Sequence, residues 1–253
     1  MTTVLYDGTF DGFLTAVFKV YDTKIVDAAI AIIGSTSGNL FADEMIITTN
    51  ITLSKRVWKG LEQKMSLRAR RELYTAFLSE VKGIENALLR YIRYAFASKI
   101  YIENNYSNAD VLYVKQTAHK VYREKHRMEA FVRFQKMKDD LYFASVQPDY
   151  NVLPLISKHF EERYADQRWL IYDAFRKYGL YYDLETVSEV QFTFSEETAN
   201  GKNIAAAYDE SEAMYQLLWK QYFNSVNIPA RKNMKLHIQH MPKRYWKNLV
   251  EKR

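Results

Sequence analysis

The chain has 253 residues, 48% of them hydrophobic, enough for one large core or two small ones. It contains no cysteine, which excludes disulfides, a thiolate nucleophile and any zinc or iron–sulfur site held by cysteine. The formal net charge is a modest +6 at pH 7, yet its distribution along the chain is strongly segregated.

Val4–Tyr6 reads as a short strand and Asp7-Gly8 as a turn. Thr9 then suits the N-cap of a helix to about Tyr21, with Phe10, Phe13, Leu14, Val17 and Phe18 on its apolar side. Ile46–Leu53 is rich in β-branched residues and predicts a strand, or a strand leading into the next helix. From Ser54 to about Lys99 the period becomes helical, through Val57, Leu61 and Met65, then Leu73, Phe77, Leu78 and Val81, then Leu88, Tyr91, Ile92 and Phe96. After a polar loop, Asp110 can cap a helix from Val111 to about Arg127. Ala130–Gln135 alternates, Leu141–Val146 follows, and the pair predicts a hairpin. A helix to about Tyr164, a second hairpin from Trp169–Phe175 and Leu180–Leu184, and a strand over Thr186–Phe194 complete this part. Ser195–Ile204 is the best linker, Tyr208 to about Asn227 a helix, and Pro229 opens a basic tail. The order predicts an α+β fold with an antiparallel sheet built from hairpin–helix–hairpin and packed against a helical block. Residues 1–194 would form the core, with the block inserted at about 54–108, and 195–253 a terminal helix and basic aromatic tail packing on it.

Met1–Gly8 has no basic stretch leading into an apolar one, so no signal peptide is expected. The apolar run near Ile25–Ile33, interrupted by Asp27, is far too short for a membrane span. A cytoplasmic protein without membrane contact is the expectation. The 20 tyrosines mostly follow the hydrophobic period, as rings that build a core while their hydroxyls reach water.

Three windows hold most of the positive charge. Lys55–Arg71, Lys115–Lys136 and Arg231–Arg253 carry net charges of +6, +5 and +7, against +6 for the whole chain, so the remainder carries −12. If the fold brings these segments together, they form a patch that attracts a polyanion by releasing counterions. Lys115, His119, Arg123 and Arg127 recur every four residues and make one cationic stripe on the predicted helix. Val111, Val114, Ala118 and Val121 make the adjacent apolar stripe. A solvated helix face accounts for the same row of charges. In the tail, Tyr245 and Trp246 lie among Lys243, Arg244 and Lys247, a pattern that can stack bases while neutralising phosphates or can dock the tail on the core. His237 and His240 are three apart without a neighbouring carboxylate, so no metal site is expected, and no cofactor motif is present. Asp7-Gly8-Thr9 can bind an anion at a helix start or simply cap it. Asp173 and Arg176 suit a strand-end ion pair as well as catalysis, and no nucleophile–base set can be assembled.

The segments Tyr6–Phe18 (YDGTFDGFLTAVF), Val114–Phe134 (VKQTAHKVYREKHRMEAFVRF), Trp169–Tyr182, and Leu218–Phe223 through Met241–Leu249 resemble a bacterial family of uncharacterised proteins associated with DNA metabolism and DNA repair. Members of that family are typically encoded beside a radical-SAM protein, and in some bacteria a similar domain is fused to a uracil-DNA glycosylase-like domain. The resemblance implies DNA as the working substrate and a radical-SAM protein as partner. It carries over no catalytic residues. Lacking cysteine, this chain cannot hold a radical-SAM cluster, so such chemistry would belong to the partner.

The leading expectation is a DNA-binding accessory protein. Lys115, His119, Arg123, Arg127 and Arg133 would line one side of a groove, with Arg68, Arg70 and Arg71 nearby; Arg231, Lys235, Lys243, Arg244, Tyr245 and Trp246 would line another. One alternative is a cofactor-free enzyme acting on damaged bases, using Asp7, Asp11 or Asp173. The other is an adapter that binds the partner protein rather than DNA.

Overall fold

The computed structural model describes residues 2–35, 43–191, 209, 211–212, 214, 216–218, 221 and 234–252. The chain divides into two compact units, Met1–Tyr122 and Arg123–Arg253. The expected boundary near 195, the linker and most of the helix from Tyr208 lie outside the described residues.

In the first unit, β1 (Thr2–Tyr6), α1 (Phe10–Asp22) and β2 (Ala28–Ile32) form a β-α-β crossover, with Val4 opposite Ile30. β3 (Asp43–Ile46) pairs with the other edge of β1, giving the order β2-β1-β3 with every strand parallel. This overturns the expected antiparallel sheet. A helix between two strands returns the chain to its starting edge, so the next strand runs in the same direction. The helix is where the sequence placed it. Thr9 Oγ1 accepts the Gly12 N–H at 3.0 Å, and Phe13, Leu14 and Val17 are buried.

The strand expected over Ile46–Leu53 stops at Ile46, and α2 (Ile51–Lys64) begins where Asn50 Oδ1 accepts the Leu53 N–H at 3.1 Å. Ile51 and Thr52 enter the first turn, where no preceding turn crowds a branched Cβ. α3 (Leu67–Phe77) is capped by Ser66, and α4 (Ile84–Ala97) follows Gly83, which takes a left-handed φ of 83°. The helical period is borne out at Leu61, Leu73, Leu88 and Ile92, all buried, whereas Val81 lies exposed in a turn. Phe10 anchors an aromatic cluster, with ring centroids 5.8, 4.9 and 5.1 Å from Trp58, Tyr74 and Phe77. α5 (Ala109–Phe131) is capped by Asn108, whose Oδ1 accepts the Asp110 and Val111 N–H groups; Asp110 instead pairs with Arg90.

In the second unit, β4 (Gln135–Lys136), β5 (Tyr142–Val146), β6 (Trp169–Asp173), β7 (Tyr178–Tyr182) and β8 (Val187–Gln191) form one sheet in sequence order. It is mixed. β5 and β6 run parallel, joined by α6 (Leu153–Arg163), while the other neighbours are antiparallel. The hairpins expected on either side of that helix are present, but the helix is a crossover and sets the two hairpins in parallel contact. The first strand is shorter than its alternation predicts, because α5 continues to Phe131 and Val132 N–H still bonds Met128 O at 3.0 Å. Trp169, fully buried, packs among Phe134, Phe160 and Tyr182. Near the C-terminus, α7 (Met234–His240) precedes two short 3₁₀ turns, Lys243–Asn248 and Val250–Lys252.

Candidate nucleic-acid interface

α5 carries the expected two-faced pattern. Val111, Val114, Ala118 and Val121 are buried, and Lys115, His119 and Arg123 point away from that face as half-buried or exposed side chains. Within the first unit, Lys115 and His119 line a groove of about 600 Å³ opposite Arg68 and Arg71 of α3. Leu67, Glu72, Ala118 and Tyr122 complete its walls. Two basic windows separated by more than forty residues of sequence therefore meet on one surface.

The groove keeps most of its charge uncompensated. Among the described residues Glu72 is the one acid that lines it, and it accepts from Arg68 Nε at 3.0 Å. Among the described residues, Arg71, Lys115 and His119 have no carboxylate within ion-pair distance; Lys115 contacts the Tyr106 hydroxyl, and its ammonium lies 4.1 Å from that ring's centroid. Arg70 is turned elsewhere. It pairs with Glu62 at 2.8 Å, and its guanidinium lies 5.7 Å from the Trp58 ring. Like charges in one groove repel, and an anion with several phosphates relieves that repulsion.

Other expected site residues are already neutralised within the second unit. Arg127 lies 3.7 Å from Glu124, and Arg133 pairs at 3.0 Å with Glu251. Glu124, only 1% exposed, is a hub: it accepts from the Asp149 N–H at 3.0 Å, Arg244 Nη2 at 2.8 Å and the Tyr245 hydroxyl at 2.5 Å. Arg244 also pairs with Asp149 at 2.9 Å. Tyr245 is 3% exposed, so its ring holds the tail to its unit and is not available to stack on a base. Burial, with the Glu124 carboxylate beside it, raises its hydroxyl pKa. Trp246 is half-buried and donates to Met241 O at 3.1 Å, with the Lys243 and Lys252 ammonium groups 5.9 and 5.3 Å from its ring. Arg123, Lys235 and Lys243 are exposed and have no carboxylate partner among the described residues; Arg231 lies outside them.

The three carboxylates considered for catalysis are engaged in local structure. Asp7 Oδ1 accepts from the Thr9 N–H and hydroxyl at 3.0 and 2.7 Å, and its Oδ2 from Thr49 at 2.7 Å. Partial burial pushes the Asp7 carboxyl up, but these bonds outweigh it and leave the pKa below the usual range. Asp7 therefore occupies the start of α1 as its own anion. A Cβ on Gly12 would sit 2.2 Å from Asp7 Oδ1 and 2.7 Å from Thr49 Oγ1, which explains the glycine there. Asp11 accepts from Ser54 at 2.5 Å. Asp173, fully buried, accepts the Phe175 and Arg176 N–H groups and pairs with the Arg176 guanidinium at 2.9 Å, which is the strand-end arrangement.

Among the described residues, no group of three His, Asp or Glu could hold a metal ion, and no helix is long and apolar enough to cross a membrane. His237 stands 6.0 Å from the Trp246 ring. Sequence reasoning missed Tyr122 in the groove and Glu124 as the anchor of the tail. For Glu124 a signal existed, an acid three residues after Val121 on the apolar side of α5.

A family model described as a domain of unknown function, DUF4130, matches residues 82–251. The match includes Lys115 and His119 and leaves Arg68 and Arg71 outside it. No curated protein matches the chain.

Proposed function

The chain belongs to the DUF4130 family, a domain of unknown function, and from the groove's geometry we propose that it binds the phosphate backbone of DNA as an accessory to a separate catalytic protein. The observation that carries this reading is the meeting of Arg68, Arg71, Lys115 and His119 around one groove whose described lining includes a single acid. Arg71 and Lys115 give up bound counterions when phosphates replace them, and Arg68 does so to the extent that Glu72 releases it. Tyr122, in the same groove, offers an exposed ring to a sugar or an unpaired base.

The likeness to DNA-repair proteins encoded beside a radical-SAM protein supports DNA as the polyanion and that protein as the partner. A division of labour fits the composition, since a cysteine-free chain contributes no thiolate to such a cluster. The test is fluorescence anisotropy of labelled single- and double-stranded oligonucleotides with the purified chain over a salt series. The reading predicts binding at low salt, with log K falling linearly against log salt concentration. Absence of binding at low salt, or a flat dependence, removes it. Association with the partner that survives nuclease treatment, without DNA binding by the chain alone, would assign the adapter role instead.

A further inference from the structure

The second unit contains an open cleft of about 1050 Å³, at the upper end of the usual size for a small-molecule site. Its walls come from the end of α5, the β4–β5 hairpin, α6 and the helical residues Glu212, Gln216 and Leu218. One side is aromatic. Phe134, Tyr142 and Tyr164 are half-buried and line it, with Phe134 and Tyr164 edge to face at 5.2 Å. Phe160 lies nearly parallel to Tyr164, 6.0 Å away with an interplanar angle of 10°.

Polar groups reach the same space. Glu129 and His159 both line the cleft, with His159 Nδ1 3.9 Å from Glu129 Oε1. Glu129 also holds Lys125 at 2.6 Å. Arg163, in the last turn of α6, lines the cleft too, and its guanidinium lies 5.8 Å from the Tyr164 ring. Among the described residues Arg163 has no carboxylate within ion-pair distance, although Glu162 beside it pairs with Lys158.

An apolar occupant would leave the Arg163 guanidinium beside it without an acceptor. A bare inorganic anion would make no use of the rings. A planar heterocycle that carries a phosphate satisfies both. We propose that this cleft binds a nucleotide. The base lies against Phe134, Tyr142 and Tyr164, Glu129 and His159 hydrogen-bond its edge, and Arg163 takes the phosphate. A free nucleotide and a nucleotide unit of a DNA strand share this chemistry. The proposal is independent of backbone binding in the α3–α5 groove: mononucleotides probe the cleft, whereas duplex DNA probes the groove.

The test is calorimetric titration of the full chain with dAMP, dCMP, dGMP and TMP and with the matching nucleosides, at fixed salt. At least one nucleotide binds with a dissociation constant below the millimolar range, and its nucleoside binds about tenfold more weakly, the loss expected for one charge-assisted contact. Arg163→Gln, at an exposed helix end, weakens nucleotide binding by about the same tenfold and leaves nucleoside binding unchanged. Its circular dichroism and urea midpoint match the parent. Failure of all four nucleotides to bind at millimolar concentration, an Arg163→Gln variant that binds them as well as the parent, or deoxyribose 5-phosphate binding as tightly as the nucleotides would each overturn the proposal. Competition by a short single strand then decides the source. Displacement of the nucleotide assigns the site to a DNA strand, and retention assigns it to a free nucleotide; both uphold the cleft as a nucleotide site.

Discussion

Glu124→Ala removes the acceptor on which the C-terminal 3₁₀ turn is hung. The alanine strands two donors, the Asp149 N–H and the Tyr245 hydroxyl, the latter on a residue that is 3% exposed. A buried donor left without an acceptor costs about 1–3 kcal/mol. Arg244 loses its 2.8 Å partner but keeps Asp149 at 2.9 Å, and its side chain is 41% exposed, so it is assigned no cost. The two stranded donors together give about 2–6 kcal/mol, a span that contains the range for removing one member of a buried pair. Glu124→Gln keeps one acceptor oxygen and should lose about half as much. Urea unfolding followed by hydrogen exchange reads both effects, with the Tyr245 and Leu249 amides losing protection first. A loss below about 1 kcal/mol for Glu124→Ala, or unchanged protection at those amides, would refute the hub.

Two further substitutions test the first unit. Gly12→Ala places a Cβ 2.2 Å from Asp7 Oδ1, so Asp7 must leave its Thr9 and Thr49 donors. The gain in helix propensity, at most about 1 kcal/mol, is outweighed, and a net loss of about 1–3 kcal/mol should show in the urea midpoint. Glu85 is buried against the Tyr6 hydroxyl at 3.2 Å, and burial raises its carboxyl above the usual range despite the hydrogen bonds that lower it. The folded state therefore holds this proton more tightly than the unfolded chain, where the pKa is about 4.3. The stability it contributes is full below that value and is lost as pH rises through the higher folded pKa. Glu85→Gln has no such loss, so its stability relative to the parent should improve from the mid-4s upward until the parent carboxyl is fully ionised. A stability difference that stays constant over that interval would contradict the assignment.

The parts legible in the sequence are those with a local cause. Thr9 caps α1 because its hydroxyl reaches Gly12 N–H, a bond made three residues away, and the apolar stripe of α5 follows from the helical period. Strand direction has no such signature. Tyr142–Val146 and Trp169–Asp173 look the same in composition whether paired parallel or antiparallel, and only the path of α6 decides. Ala28–Ile32 gives no clear strand signal because its three alanines carry little strand propensity. The candidate groove was half visible. Lys115 and His119 are a local pattern, but their meeting with Arg68 and Arg71 depends on how α3 packs beside α5. The cations that formed part of the same expectation, Arg127, Arg133 and Arg244, face Glu124 and Glu251, partners distant in sequence or hidden on an apolar face. Glu129 and His159 are likewise brought together only by the fold.

The measurement that bears most directly on the central claim compares salt slopes for duplex DNA binding by the parent and by an Arg71→Gln, Lys115→Gln double variant. Neither side chain has a carboxylate partner among the described residues, and both line the groove. Each phosphate that is no longer neutralised should flatten the slope of log K against log salt by about 0.9, so the pair should flatten it by about 1.8 and weaken binding most at low salt. A double variant that folds like the parent and retains the parent's slope would show that DNA, if bound at all, does not lie in this groove.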